Sequence, residues 1–174
     1  MIKQRQFYFL RHGETDFNAR KILHDETDIP LNEKGRSQAN QIKPVISSLP
    51  VQTICVSPLL RAIETAEIAA GDLSCNVVVV EELRECSGSE WLKMVANEPC
   101  KHVQAFMKRV LAGINKALSF PGPVLIVSHG GVHWALCHQI DVTGHEKKIG
   151  NCVPVHFSYT QQSAWEAARL EGCI

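Results

Sequence analysis

Two short segments carry side chains that could work together on one substrate: Arg11-His12-Gly13 and Ser128-His129-Gly130-Gly131. Each follows an apolar run, Phe7-Tyr8-Phe9-Leu10 in the first case and Val124-Leu125-Ile126-Val127 in the second. A third run, Thr53-Ile54-Cys55-Val56, passes through Ser57-Pro58 to Arg61. An arginine is permanently charged and offers a planar fork of donors, a histidine can act as nucleophile or base, and a glycine lets the backbone approach a ligand closely. That combination suits a phosphate. In open α/β sheets ligands bind beyond the carboxyl ends of the strands, so the pattern predicts that Arg11, His12, Arg61 and His129 face one point.

The elements needed to position these groups are legible in the hydrophobic pattern. Strands are expected at the three apolar runs and at 76–80, where four consecutive valines suggest a strand buried on both faces. Residues 14–33 read as a loop. A helical stripe of Ala39, Ile42, Ile46 and Leu49 follows, with Pro44 expected to kink or end it. A second helix is expected from Pro58 to Ala70. Val103, Phe106, Met107, Val110, Leu111, Ile114 and Leu118 mark a long amphipathic helix over 101–118. An apolar helix follows at 132–140, and 153–159 and 164–169 read as two closing strands. The alternation of strands and helices predicts an α/β fold of three layers: a mainly parallel sheet covered by helices on both faces, with residues 81–100 as a small lid insertion.

Composition narrows the partners. A chain of 174 residues with 45% hydrophobic residues can bury a core as one domain, 1–174. Eighteen Lys and Arg balance eighteen Asp and Glu, so nothing favours nucleic acid or a membrane surface, and a small molecule is the expected partner. The N-terminus lacks the pattern of a secretory signal. Seven scattered cysteines, odd in number and without C-x-x-C spacing, fit reduced thiols in a cytoplasm.

With these residues in view, the chain resembles the histidine phosphatases, the phosphoglycerate-mutase-like superfamily. The resemblance rests on Arg11-His12-Gly13-Glu14-Thr15 and Asn18, Pro30-Leu31 with Gly35, Gln38 and Ala39, and Ser57-Pro58-Leu59 with Arg61, Ala62, Thr65 and Ala66. It continues through Leu83-Arg84-Glu85, Ser128-His129-Gly130-Gly131 and Asn151. It implies a phosphatase acting on a phosphomonoester through a phosphohistidine on His12, with no metal and no cofactor. Arg11, Arg61 and His129 would hold the phosphoryl oxygens, and Glu85, the acid of the family's Leu-x-Glu pattern, would donate and remove protons. Asn18, Thr15 and the amide of Gly130 are further candidates for substrate contact, and Asn151 would orient His129. Ser57 reads as a helix cap, and Glu81 and Glu82 are rivals of Glu85.

Other readings compete. His129, His133 and Cys137 are spaced four apart, as metal ligands on one helical face could be, yet the glutamate of H-E-x-x-H is missing and packing beside a sheet is the expectation. His24, Asp25, Glu26 and Asp28 could hold a cation but read as a solvated loop. Within the resemblance, a phosphoglycerate-type mutase and a phosphohistidine-protein phosphatase are alternatives, and a non-catalytic phospholigand-binding protein is a third. The short segment between Glu85 and the long helix favours hydrolysis, because a mutase must shield its intermediate from water.

Overall fold

The computed structural model describes residues 1–23, 27–98, 100–142 and 144–170. His24, Asp25, Glu26 and Cys173 lie outside that set, and with them most of the proposed acidic cation site. The elements run β1 (Phe7–Arg11), α1 (Asp16–Ala19), α2 (Glu33–Ser47), β2 (Thr53–Val56), α3 (Leu60–Ala70) and β3 (Asn76–Val79). A 3-10 turn at Glu81–Leu83 follows, then α4 (Gly88–Val95), α5 (Lys101–Ala117), β4 (Val124–Ser128), α6 (Gly130–Ile140), β5 (Pro154–Tyr159) and β6 (Trp165–Arg169).

The six strands form one sheet in the order β3-β2-β4-β1-β5-β6. β1, β2, β3 and β4 are parallel to one another, and β5 and β6 close the sheet antiparallel. Period-two alternation sends successive side chains to opposite faces. Phe7, Phe9, Val124 and Ile126 pack with α5 and α6 residues such as Phe106, Val110 and Leu136, whereas Tyr8, Leu10, Leu125 and Val127 pack with Ala39, Ile42 and Ile46 of α2 and Ala62 and Ala66 of α3. The three-layer α/β expectation is met. Burial of the largest side chains, with Phe7, Phe9 and Phe157 all at 0% exposure, stabilises the sheet by roughly 1.5–3 kcal/mol each.

Four details differ from the sequence reading. α2 runs on past Pro44 to Ser47, because Pro44 lies on the exposed side while Ile42 and Ile46 anchor the helix on either side of it. α3 begins at Leu60 rather than Pro58, so Ser57 and Pro58 belong to the turn before it. The 14–33 loop contains the short helix α1. The valine strand β3 is not buried on both faces: it pairs only with β2 at the edge of the sheet, which leaves Val77 and Val79 at 61% and 54% exposure. A run of valines reports β-propensity, and only the strand order decides how many neighbours the strand has.

Candidate active site

The strand order places the carboxyl ends of β2, β4 and β1 side by side, and the ladder continues one residue past them. The His12 amide donates to the Ser128 carbonyl at 3.0 Å and the Ser57 amide to the Val127 carbonyl at 3.0 Å. The two imidazoles of His12 and His129 therefore emerge together, with ring centroids 5.2 Å apart. Gly13 follows His12 where the backbone of α2 crosses: a Cβ at Gly13 would lie 2.5 Å from the Gly35 carbonyl oxygen, so only glycine fits. The Gly13 amide donates to Thr65 Oγ1 (3.0 Å), whose hydroxyl donates to the Arg61 carbonyl (2.7 Å), tying the end of β1 to the first turn of α3.

His12 is 1% exposed, and its Nδ1 lies 2.7 Å from the Gly13 carbonyl oxygen. A carbonyl can only accept, so Nδ1 carries the proton and the lone pair resides on Nε2. His129 is fully buried and its Nε2 sits 2.7 Å from Ser57 Oγ. Ser57, read from the sequence as a cap alone, does not cap α3, whose N-cap is Leu59; its hydroxyl accepts from the Leu59 amide at 3.4 Å within the preceding turn and meets His129.

Arg61 is the most unusual group in the chain. It is 0% exposed, and none of its three guanidinium nitrogens has a hydrogen-bond partner among the described residues. Its nearest ion pair is a distant one, Asp28 at 4.0 Å. Burial pulls its pKa down, opposed by the negative charges of Glu85 and Asp28. Arg11 is similar: burial lowers its pKa, Glu85 opposes this, Nη1 donates to the Ile149 carbonyl at 2.6 Å, and Nε has no partner among the described residues. Leaving a charge buried without a partner costs about 3–5 kcal/mol, which a bound anion would offset.

Glu85 is held at the N-terminus of α6. One oxygen accepts from the Gly131 amide at 3.1 Å and the other from the Cys86 amide at 3.0 Å. A side chain at Gly131 would collide with that carboxylate and with the Cys86 sulfur, so the second glycine of the motif serves Glu85. Its rivals are engaged elsewhere: Glu82 pairs with Lys116 at 3.0 Å and Glu81 with Arg84 at 3.0 Å. Arg109 on α5 fixes the segment from behind, donating to the carbonyls of Glu82 (3.1 Å), Arg84 (2.6 Å) and Glu85 (3.1 Å). Sequence reasoning missed Arg109, because a lone arginine on an amphipathic helix carries no signal of the carbonyls it will meet.

Above these groups lies a pocket of about 210 Å³ lined by Arg11, Asn18, Glu85, Trp91 and Gly130, among others. Thr15 is buried, and its hydroxyl accepts from the Asn18 amide at 3.2 Å while Asn18 Oδ1 accepts from the Thr15 amide at 3.2 Å, a reciprocal cap of α1. Asn151 donates to the His12 carbonyl (2.9 Å) and to Asn18 Oδ1 (3.3 Å), so it braces the His12 side of the site, where the sequence reading had assigned it to His129. Cys55, Cys75, Cys86, Cys100 and Cys137 are free thiols. Burial raises the thiol pKa of Cys86, with Glu85 adding to the effect, and raises those of Cys55 and Cys137 to about 12, which leaves all three protonated.

The class that fold and site define is matched by known proteins. The sequence profile of the histidine phosphatase superfamily (branch 1) matches residues 7–101. A probable phosphoglycerate mutase, GpmB, of Cronobacter sakazakii is 30% identical over 94% of this chain and 88% of its own length. An uncharacterized phosphatase, PhoE, of Bacillus subtilis is 31% identical over 75% of each chain. Among solved structures, a phosphoserine phosphatase of Entamoeba histolytica in complex with 3-phosphoglyceric acid superposes with a TM-score of 0.76 at 22% identity, over 97% of this chain and 99% of that one. The chain belongs to the histidine phosphatase superfamily. Among the described residues no helix is long and apolar enough to cross a membrane.

Proposed function

We propose that this chain hydrolyses a phosphomonoester through a phosphohistidine intermediate on His12. The observation that carries this reading is the Arg61 guanidinium, wholly buried without a hydrogen-bond partner among the described residues and within electrostatic reach of Arg11 and Glu85, together with the paired His12 and His129 rings. Phosphoryl transfer passes through a loose transition state with charge spread over three oxygens, so positioned positive charge is the main requirement. Arg11, Arg61 and His129 supply it without a metal ion.

In the first step the His12 Nε2 lone pair forms a bond to phosphorus as the bond to the leaving oxygen breaks, and Glu85 gives that oxygen its proton. In the second, Glu85 takes a proton from water, the new oxygen bonds to phosphorus, and the P–N bond breaks to regenerate His12. The Gly13 carbonyl keeps the His12 ring oriented through both steps, because Nδ1 carries its proton throughout. Asn18 lines the route by which substrate enters, while Thr15 acts through the cap that holds Asn18.

The short segment between Glu85 and α5, with α4 as its only regular structure among the described residues, supports hydrolysis over transfer back to a second substrate oxygen. A brief reaction with a labelled aryl phosphate tests the reading: an acid-labile, alkali-stable adduct on His12 is expected, and a seryl or cysteinyl adduct would overturn it. Assaying phosphoglycerate isomerisation beside phosphate release separates mutase from phosphatase.

A further inference from the structure

A second cluster of ligand-type side chains begins one turn further along α6 from His129. His133 and Cys137 stand one turn apart on that helix, and the segment that follows it returns His145 to them. His133 Nε2 is 3.1 Å from His145 Nε2, Cys137 Sγ is 3.6 Å from His133 Nε2, and one potential ligand atom from each residue lies within 4.8 Å of the other two. Zinc with nitrogen ligands at about 2.0–2.1 Å and sulfur at about 2.3 Å sets tetrahedral neighbours roughly 3.3–3.6 Å apart; the Cys137–His133 pair at 3.6 Å already has that spacing, and the His133–His145 pair at 3.1 Å needs only a small opening.

The surroundings match a metal centre as well. His133 Nδ1 lies 2.9 Å from the Lys147 carbonyl oxygen, which fixes the proton there and turns the Nε2 lone pair toward Cys137 and His145. A backbone carbonyl on the far nitrogen of a metal-ligating histidine is the usual means of orienting the ring. Phe9 and Phe157 wall the site, with ring centroids 5.3 and 5.9 Å from that of His133. His145 is only partly buried, so an ion has a way in. The sequence spacing pointed to His129 as the third member of this set, but His129 is turned to Ser57, and His145 takes its place.

We propose that His133 Nε2, Cys137 Sγ and His145 Nε2 bind one zinc-like divalent transition-metal ion, with a water as fourth ligand. Cys137 binds as thiolate and its proton passes to solvent, while the proton that His145 Nε2 donates to His133 in the free protein moves to its Nδ1, so one proton is released for each ion bound. The ion takes no part in phosphoryl transfer. It pins the segment from His145 to Ile149, whose carbonyl receives Arg11 Nη1, and so steadies one wall of the phosphate site.

Titration of the chelator-stripped full chain with Co(II) tests this without any assay of turnover, so its outcome is separate from that of the phosphatase reading. One equivalent should produce a thiolate-to-cobalt charge-transfer band and the intense visible bands of a tetrahedral site, and Zn(II) should abolish both by displacement. Cys137→Ser should remove the charge-transfer band. His145→Gln, a change on a partly exposed segment that the fold tolerates, should weaken binding by more than the roughly 10–100-fold typical of losing an outer hydrogen-bond partner. Absence of the band in the unaltered chain, or its persistence at full strength and affinity in both variants, would overturn the proposal and leave a hydrogen-bonded histidine pair beside a buried thiol.

Discussion

Among the described residues two histidine clusters, His12 with His129 and His133 with His145, differ in what surrounds the rings. His12 and His129 share their site with Arg11 and Arg61, cations whose nitrogens are incompletely satisfied, so the region keeps donors for an anion even with Glu85 and Asp28 nearby. His133 and His145 share theirs with a thiol and two phenylalanine rings, and there burial holds His133 neutral, its pKa pushed down to about 4. One cluster is built to receive an anion and the other offers lone pairs to a cation. The lesson is that burial alone does not define a histidine's role; its neighbours' charge does.

The comparison can be broken at several points. The largest effect is expected from His12→Ala, which should abolish turnover of an aryl phosphate while retaining phosphate binding, as measured by steady-state kinetics and thermal shift. Full turnover in this variant would remove the nucleophile from the anion-receiving cluster. Glu85→Gln should lower kcat by about 10²–10⁴-fold, the range for losing a general acid, with little change in phosphate affinity. Loss of affinity without loss of kcat would instead make Glu85 a binding group.

Arg61→Leu sharpens the contrast through stability. Replacing a buried charge that lacks hydrogen bonds among the described residues with an apolar side chain should leave the free protein as stable or more so, while erasing the stabilisation that phosphate or vanadate confers, which is about 2.7 kcal/mol at a hundred times Kd for the unaltered chain. Calorimetry with and without the anion reads both. Arg109→Ala should have a smaller effect, a drop in kcat of about tenfold as the Glu85 segment loosens, with KM nearly unchanged because Arg109 meets only backbone carbonyls. Smallest of all, Val77→Thr on the exposed edge strand should shift stability by less than about 0.5 kcal/mol and leave catalysis intact.

Legibility in the sequence followed the range of the interaction. The Arg-His-Gly and Ser-His-Gly-Gly segments announced themselves because each couples an apolar run to a reactive residue within a few positions, and the strand ends then converge as the α/β rule requires. The 101–118 helix was clear for the same reason, since its apolar spacing is contained within the element. Ser57 and Arg109 stayed obscure because their partners lie 72 and 24–27 residues away and are, for Arg109, carbonyls present at every position. The edge placement of β3 was hidden too: four valines look alike in the middle of a sheet and at its border.

By itself, then, the sequence determined which side chains carry the chemistry, that they end parallel strands, and to which superfamily the chain belongs, since all of these reside in local composition and spacing. Only the tertiary structure decided who holds whom: Ser57 meeting His129, the Gly131 amide donating to Glu85, and His145 joining His133 and Cys137. Hydrogen-bond partners are selected by distances of about 3 Å between atoms far apart along the chain, and such distances exist only after the sheet has set its strand order and register.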